Sequence, residues 1–242
     1  MQRYQLQAKP AYECLSRVAA DTPKPGPGQV LVKVKAASLN YRDLLTARGV
    51  EQNPALVGRV PLSDGAGEVV ELGAGVTRAE VGERVAGCFM QKWIDGELDA
   101  EKFASALGGA IDGMAAEYVV LDEQGVVRVP QHLSYEEAAC LPCAAVTAWD
   151  ALKHAGLRAG QTVLLLGTGG VSIFAVQFAK LHGARVILTS SSDAKLEIAR
   201  KLGADEVINY SKTPNWDEEV LRRTGGRGAD MAIEVGGPDT LN

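Results

Sequence analysis

Residues that hold metals and disulfide frameworks are scarce in this chain: it has four cysteines and three histidines among 242 residues. Cys14, Cys88, Cys140 and Cys143 do not make a disulfide scaffold, and His132, His154 and His182 are scattered and read as surface or core residues. Cys140-Leu-Pro-Cys143 has the form of a thioredoxin-type redox pair. It follows Ser134-Tyr-Glu-Glu-Ala-Ala, the pattern of an N-capped helix, whereas a redox motif of that kind follows a strand. No second C-x-x-C and no histidine pair accompanies it, which speaks against a structural zinc site. Basic runs are absent too, and with a net charge of −5 this argues against nucleic acid as the main ligand. No apolar stretch has the length to span a bilayer, so no membrane role is expected. Residues 1–20 lack the charged head and apolar run of a secretion signal, and the cytoplasm is the expected compartment.

What is present is an ordinary globular composition, 46% hydrophobic and 23% charged, with length for two modest domains. The pattern changes near residue 130. Before it come short strands: Gln29–Lys35, where valine or leucine alternates with lysine, then Gly65–Leu72, Glu83–Val85, Glu117–Leu121 and Val126–Val129. Pro23-Lys-Pro-Gly-Pro-Gly28 is a rigid surface loop, and Gly73-Ala-Gly75 is a turn. From Ser134 onward helix and strand alternate. Residues 1–130 are therefore expected to form a β-rich domain and residues 131–242 a doubly wound α/β domain.

The second part carries the most informative segment. Val163–Leu166 is an unbroken apolar run, as expected of a parallel strand buried on both faces. Gly167, Thr168, Gly169, Gly170 and Val171 follow; the glycines permit a tight turn and let a phosphate approach the backbone. Val171, Phe174, Ala175 and Phe178 have the spacing of one buried helix face. The first amides of that helix favour an anion. Ser172 stands at the third glycine of the G-x-G-x-x-G fingerprint. The next strand, Arg185–Thr189, ends in Ser190, Ser191 and Ser192, where an NAD-specific site usually carries an acid. Ser190 and Ser191 offer hydroxyls to a ribose 2′-phosphate and Lys195 offers a charge, so NADP is expected over NAD. Asp193, the nearest acid, is expected to cap the helix Ala194–Leu202.

The chain resembles the medium-chain dehydrogenase/reductases, which join a GroES-like catalytic domain to a Rossmann dinucleotide-binding domain. The resemblance is carried by Asp64-Gly-Ala-Gly-Glu-Val-Val-Glu-Leu-Gly-Ala-Gly-Val-Thr77, Val81-Gly-Glu-Arg-Val85, Leu141-Pro-Cys-Ala-Ala-Val-Thr-Ala-Trp149 and Leu202-Gly-Ala-Asp-Glu-Val-Ile-Asn-Tyr210, in the family's order. It implies that Thr147 lies near the nicotinamide amide, that Tyr210 lies beside the adenosine phosphate, and that Gly236 and Gly237 end the fourth strand close to the nicotinamide ribose. The other reading of Tyr210 is a partly buried tyrosine at a strand end.

Departures from the family pattern shape the functional expectation. In the zinc alcohol dehydrogenases a cysteine, a histidine and an acid reach the catalytic metal, with a further cysteine from the start of the second domain. Here Asn40 stands at the first cysteine, Ser63-Asp64 at the His-Glu pair, and only Cys143 keeps a ligand-type residue. Residues 89–113, where the structural-zinc lobe would lie, contain no cysteine. The resemblance is thus to the zinc-free branch, which includes quinone and enone reductases. It implies NADPH-dependent hydride transfer to a quinone, enone or related carbonyl. Asn40 would hold the carbonyl, Tyr41 would give a proton or hydrogen bond, and Asp64 would form a second polar wall. The plainer reading is that Asn40 caps a helix and Asp43 completes the capping pattern.

Only strands three, two, one and four of the expected Rossmann sheet are counted before the chain stops at Asn242, so a fragment is expected, with weak NADPH binding. A homodimer is expected only with the full-length chain. Three readings stand: the zinc-free reductase, a secondary-alcohol dehydrogenase of the same fold, and a non-catalytic nucleotide-binding protein.

Overall fold

In a computed structural model of the chain, the structure describes residues 1–9 and 11–237. Residues 238–242 of the expected second domain lie outside the described part. The chain divides into two compact units, Met1–Cys143 and Ala144 onward.

The first unit opens with an antiparallel pair that the sequence pattern does not announce, β1 (Gln2–Leu6) and β2 (Leu15–Ala19). Then come β3 (Gln29–Ser38), α1 (Tyr41–Arg48), β4 (Asp64–Leu72), β5 (Arg84–Gly87), the short α2 (Ala100–Phe103), β6 (Tyr118–Asp122), β7 (Val126–Arg128) and α3 (Tyr135–Ala139). Five of these strands form one antiparallel sheet in the order β6-β3-β4-β5-β7. The expected alternation in β3 holds from Val32 onward, but Val30, Leu31 and Val32 are all buried. Val30, Val32, Val69, Val85, Leu107 and Met114 make the main core. Register places Ser38 opposite Asp64, so the end of β3 and the start of β4 meet at one point. α3 begins at Ser134 with a full capping box: Ser134 Oγ accepts from Glu137 N at 3.1 Å, and Glu137 Oε2 accepts from Ser134 N at 2.7 Å.

The second unit comprises α4 (Val146–His154), β8 (Thr162–Leu166), α5 (Gly170–Leu181), β9 (Arg185–Ser190), α6 (Asp193–Lys201), β10 (Glu206–Asn209), α7 (Trp216–Arg223) and β11 (Met231–Ile233). Its sheet is parallel, in the order β10-β9-β8-β11, which is the three-two-one-four arrangement counted from the sequence. All five residues of β8 are buried. Successive side chains leave a strand on opposite faces. Val163 and Leu165 accordingly join a core with Ala175, Val176 and Leu188, while Leu164 and Leu166 join one with Ile187, Ile208 and Val220.

Two local expectations are corrected. The buried stripe of α5 is Ser172, Ala175, Val176 and Ala179, with Val171, Phe174 and Phe178 only partly buried at its margin. The small residues, not the aromatics, face the sheet because the helix packs close to it. The cap of α6 is Ser192, whose Oγ accepts from Lys195 N at 3.5 Å, and not Asp193, which is already helical. Among the described residues no helix is long and apolar enough to cross a membrane.

Candidate functional site

In the first unit a buried polar cluster forms where β3, α1 and β4 converge. Asn40 is the N-cap residue of α1, with extended backbone. Asp43, 6% exposed, turns back so that its Oδ2 accepts from Asn40 N at 2.8 Å. Arg42 donates through Nη1 to Asp43 Oδ1 at 3.2 Å and to the Leu107 carbonyl at 3.3 Å, and its guanidinium lies 4.6 Å from the centre of the Phe89 ring. Ser63 and Asp64 are wholly buried. Ser63 Oγ donates to Asp64 Oδ1 at 2.7 Å, and Cys143 N donates to Asp64 Oδ2 at 2.9 Å. Asn40 Nδ2 is buried and has no acceptor in hydrogen-bond geometry, yet the amide sits near enough to Asp64 to favour its carboxylate form.

Burial dominates the electrostatics here. It raises the Asp64 carboxyl, against the lowering pull of Ser63, Cys143 N and Asn40. It raises Asp43 likewise, although the Asn40 amide and Arg42 oppose the change. The Cys143 thiol is pushed up to about 11 by burial and then by the Asp64 carboxylate. Cys143 is therefore a neutral thiol near pH 7, and the nucleophilic thiolate that redox exchange needs is scarce. Cys140 is exposed, with its Sγ donating to the Glu136 carbonyl at 3.3 Å.

The raised Asp64 value carries a stability consequence. Burial outweighs its hydrogen-bond donors, so the protonated acid is favoured in the folded state relative to the unfolded chain. That contribution is complete below the ordinary value of 3.8 and disappears as pH rises through the higher folded value. Asp64→Asn removes it. The native protein is thus expected to lose stability relative to the variant as pH rises from 3.8 toward neutrality. Urea unfolding of both proteins across that range checks this; parallel stability curves would refute it.

The predicted catalytic trio is only partly assembled. Asn40 and Asp64 share the cluster. Tyr41 is 68% exposed, no described hydrogen bond ties it to the cluster, and its charged neighbour is Arg48. Arg42 and Ser63 were not singled out from the sequence. Ser63 had one signal, its place with Asp64 at the His-Glu pair of the zinc enzymes, which by itself assigns it no role. Among the described residues no group of three or more His, Cys, Asp or Glu side chains is placed to hold a metal.

In the second unit the glycine turn connects β8 to α5. Gly167 has φ of +82°, a conformation that a side chain would strain, and Gly167 N bonds the Thr189 carbonyl at 2.9 Å. A Cβ on Gly167 or Gly169 would meet nothing within 4 Å, so the space above the turn is open. Gly169 is the N-cap of α5 without a side-chain cap, and Gly170 and Val171 begin the helix, leaving their amides for an anion. This cradle fits a pyrophosphate. Ser172 explains how the fingerprint survives without its third glycine: it is fully buried, and its Oγ donates to the Leu166 carbonyl at 3.0 Å.

The corner beyond β9 is tied together by short contacts. Ser190 Oγ lies 3.1 Å from Thr168 Oγ1 and accepts from Ser192 N at 3.4 Å, while Tyr210 N donates to the Ser190 carbonyl at 3.1 Å. Ser190 is 4% exposed, so its hydroxyl is built into the scaffold, whereas Ser191 is exposed. Lys195 is exposed and has no ion-pair partner among the described residues. Asp193 accepts from Asn209 Nδ2 at 2.6 Å and pairs with Lys212 Nζ at 2.5 Å, which hold its carboxyl below the usual range. Tyr210 is 40% exposed. Thr147, exposed on α4, is joined to this corner by no described hydrogen bond. Gly236 lies beyond β11, whose last residue is Ile233, and its amide bonds Glu234 Oε1.

Residues 26–131 match the alcohol dehydrogenase GroES-like domain family, and residues 170–242 match the zinc-binding dehydrogenase family. A zinc-type alcohol dehydrogenase-like protein of Schizosaccharomyces pombe is 50% identical over 221 residues, covering 90% of this chain and 64% of its own length. A putative alcohol dehydrogenase from Sinorhizobium meliloti is similar in structure, with a TM-score of 0.89 at 41% identity, covering 99% of this chain and 71% of that one. A quinone oxidoreductase from Pseudomonas syringae pv. tomato gives a TM-score of 0.82 at 31% identity, covering 99% and 68%. The chain spans less than two thirds of the length of the curated relatives it matches.

Proposed function

Because this chain belongs to the medium-chain dehydrogenase/reductase superfamily, which works with a nicotinamide cofactor, we propose that it takes NADPH and reduces a quinone, an enone or a related carbonyl without a metal. The bound nicotinamide supplies the hydride. The amides of Gly169, Gly170 and Val171 hold the pyrophosphate, and Ser191 and Lys195 meet the ribose 2′-phosphate. Asp193 is kept from opposing that phosphate by its pairing with Lys212 and Asn209.

The observation that carries the reading is the buried amide of Asn40, whose Nδ2 has no acceptor in hydrogen-bond geometry and only Asp64 nearby. A buried N–H without an acceptor is costly, and a substrate carbonyl oxygen would satisfy it. Asp43 holds the Asn40 backbone, and Arg42 holds Asp43, so the amide is fixed in place before substrate arrives. Tyr41, at the exposed start of α1, is the proton donor in this reading. Metal independence is supported by the donor set: both Asp64 oxygens already accept hydrogen bonds, one of them from the backbone N of Cys143, whose thiol stays protonated. A tetrahedral zinc site needs more N or S donors than these.

Similarity to proteins described as alcohol dehydrogenases favours a second reading, an alcohol dehydrogenase of the same fold, for which a secondary alcohol is the substrate we consider. One experiment separates the two. Metal content of the purified protein is measured beside NADPH oxidation by benzoquinones, naphthoquinones and simple enones. Quinone-dependent oxidation at well under one zinc per chain is expected. Stoichiometric zinc with turnover of secondary alcohols alone would overturn the proposal.

A further inference from the structure

The corner beyond β9 gathers two lysines and one acid, and the acid's bonds divide the lysines into two kinds. Asp193 is the first acid after the serine run and the first residue of α6, two positions before Lys195. Its Oδ2 accepts from Lys212 Nζ at 2.5 Å and its Oδ1 from Asn209 Nδ2 at 2.6 Å. Lys212 therefore reaches the first turn of α6, the turn from which the exposed side chain of Lys195 also starts.

The turn that carries Lys212 is organised on Asn209. Register sets Asn209 beside Ser190, and Tyr210 N donates to the Ser190 carbonyl at 3.1 Å. The Asn209 carbonyl accepts from Lys212 N at 3.1 Å and Thr213 N at 2.9 Å, and Asn209 Oδ1 accepts from Ser211 N at 3.0 Å. The backbone under Lys212 is thus fixed against the end of β9, while its side chain stays largely exposed. Lys212 first and Asn209 second hold the Asp193 carboxyl below its usual range, as a cation and an amide do to a carboxylate they engage. An ion pair this exposed adds little to folding, so its cation can exchange one anion for another at small cost.

We propose that Lys212 is a second cation of the 2′-phosphate corner, withheld by Asp193, and that Asp193 thereby sets how strongly NADPH is preferred over NADH. The inference rests on the NADPH reading and deepens it. Without the carboxylate, Lys212 turns to the phosphate and one anion fewer faces it, so both effects tighten NADPH. NADH has no group there and is indifferent.

NADPH and NADH are titrated by cofactor fluorescence at low salt into the native chain, Asp193→Asn, Lys212→Met and the double variant, each below its melting temperature. Asp193→Asn is expected to tighten NADPH about threefold to tenfold, with NADH changed by less than about twofold. Lys212→Met is expected to weaken NADPH about threefold in the native background but about tenfold in the Asp193→Asn background, where the lysine touches the phosphate. A native chain that binds NADH as tightly as NADPH, or binds neither, would overturn the NADPH reading and this inference with it. A native preference for NADPH that Asp193→Asn leaves unmoved or lowers would overturn the inference alone. So would equal costs of Lys212→Met in the two backgrounds, since that is the behaviour of a distant charge making no contact.

Discussion

Gly113→Ala is expected to destabilise the first unit by about 3 kcal/mol or more, a large share of the roughly 5–15 kcal/mol that holds a domain folded. The cause lies at Leu62, the one non-glycine residue with positive φ among those described, at +73°. Its left-handed backbone is packed between two glycines. A Cβ on Gly113 would sit 2.0 Å from the Leu62 carbonyl oxygen and 2.6 Å from that of Pro61, and a Cβ on Gly108 would sit 2.6 Å from the Leu62 carbonyl carbon. Those atoms cannot retreat cheaply. The segment is pinned by Gly113 N to the Val60 carbonyl at 2.8 Å, Met114 N to Leu62 at 2.8 Å and Ala115 N to Pro61 at 3.1 Å. Strain of this kind concentrates at functional sites, and Ser63 and Asp64 are the next residues along the chain. Denaturant unfolding of variant and native protein measures the effect. A loss below about 1 kcal/mol, within the range of ordinary surface substitutions and mild repacking, would show that the backbone relaxes and that Leu62 is not held there.

The second large effect concerns the cofactor. Lys195→Glu is expected to cost NADPH binding about 1.5–3 kcal/mol, roughly a 10- to 150-fold loss, while NADH binding changes little. The charge is available for this role because Lys195 is exposed and unpaired, whereas Lys212 is committed to Asp193. The fold is not the reason for the expected loss. Lys195 lies in the first turn of α6, where an acid interacts favourably with the helix dipole, and its backbone N–H still donates to Ser192 Oγ. Cofactor fluorescence titration with both nucleotides reads the difference. Equal losses for NADPH and NADH would place the 2′-phosphate elsewhere, and tighter binding of NADH by the native protein would overturn the NADP assignment.

These expectations depend on features of different visibility in the sequence. Val163–Leu166 announced a strand covered on both faces, and β8 splits its side chains between two cores in that way. The glycines of 167–170 announced a tight turn that leaves room beside the backbone, and Gly167 is in the left-handed region with free space above it and Gly169. Ser134 and Glu137 announced a capping box across three residues, and it forms. By contrast, Asp193 looked like a helix cap because its neighbours in sequence were a helix start; its true partners are Asn209 and Lys212, on and just beyond the adjacent strand. The buried stripe of α5 lies one position on from its apolar spacing because residue size, and not hydrophobicity, decides which side packs closest to a sheet.

What the chain's linear pattern settled by itself was therefore local: that β8, α5 and β9 follow one another, where the tight turns fall, and that two differently built units succeed each other, whereas the β1–β2 pair carried no such signal. These are governed by sterics and periodicity over a few residues. Tertiary structure alone decided who meets whom. Arg42 reaches Leu107 and Asp64 reaches Cys143 across stretches of 65 and 79 residues. Whether Asp64 keeps its proton, and whether Asn40 has a donor to spare, follows from burial and from partners that no spacing rule encodes. The physical reason is that a buried charge answers to everything within a few ångströms of it, and strand order brings those neighbours from remote parts of the chain.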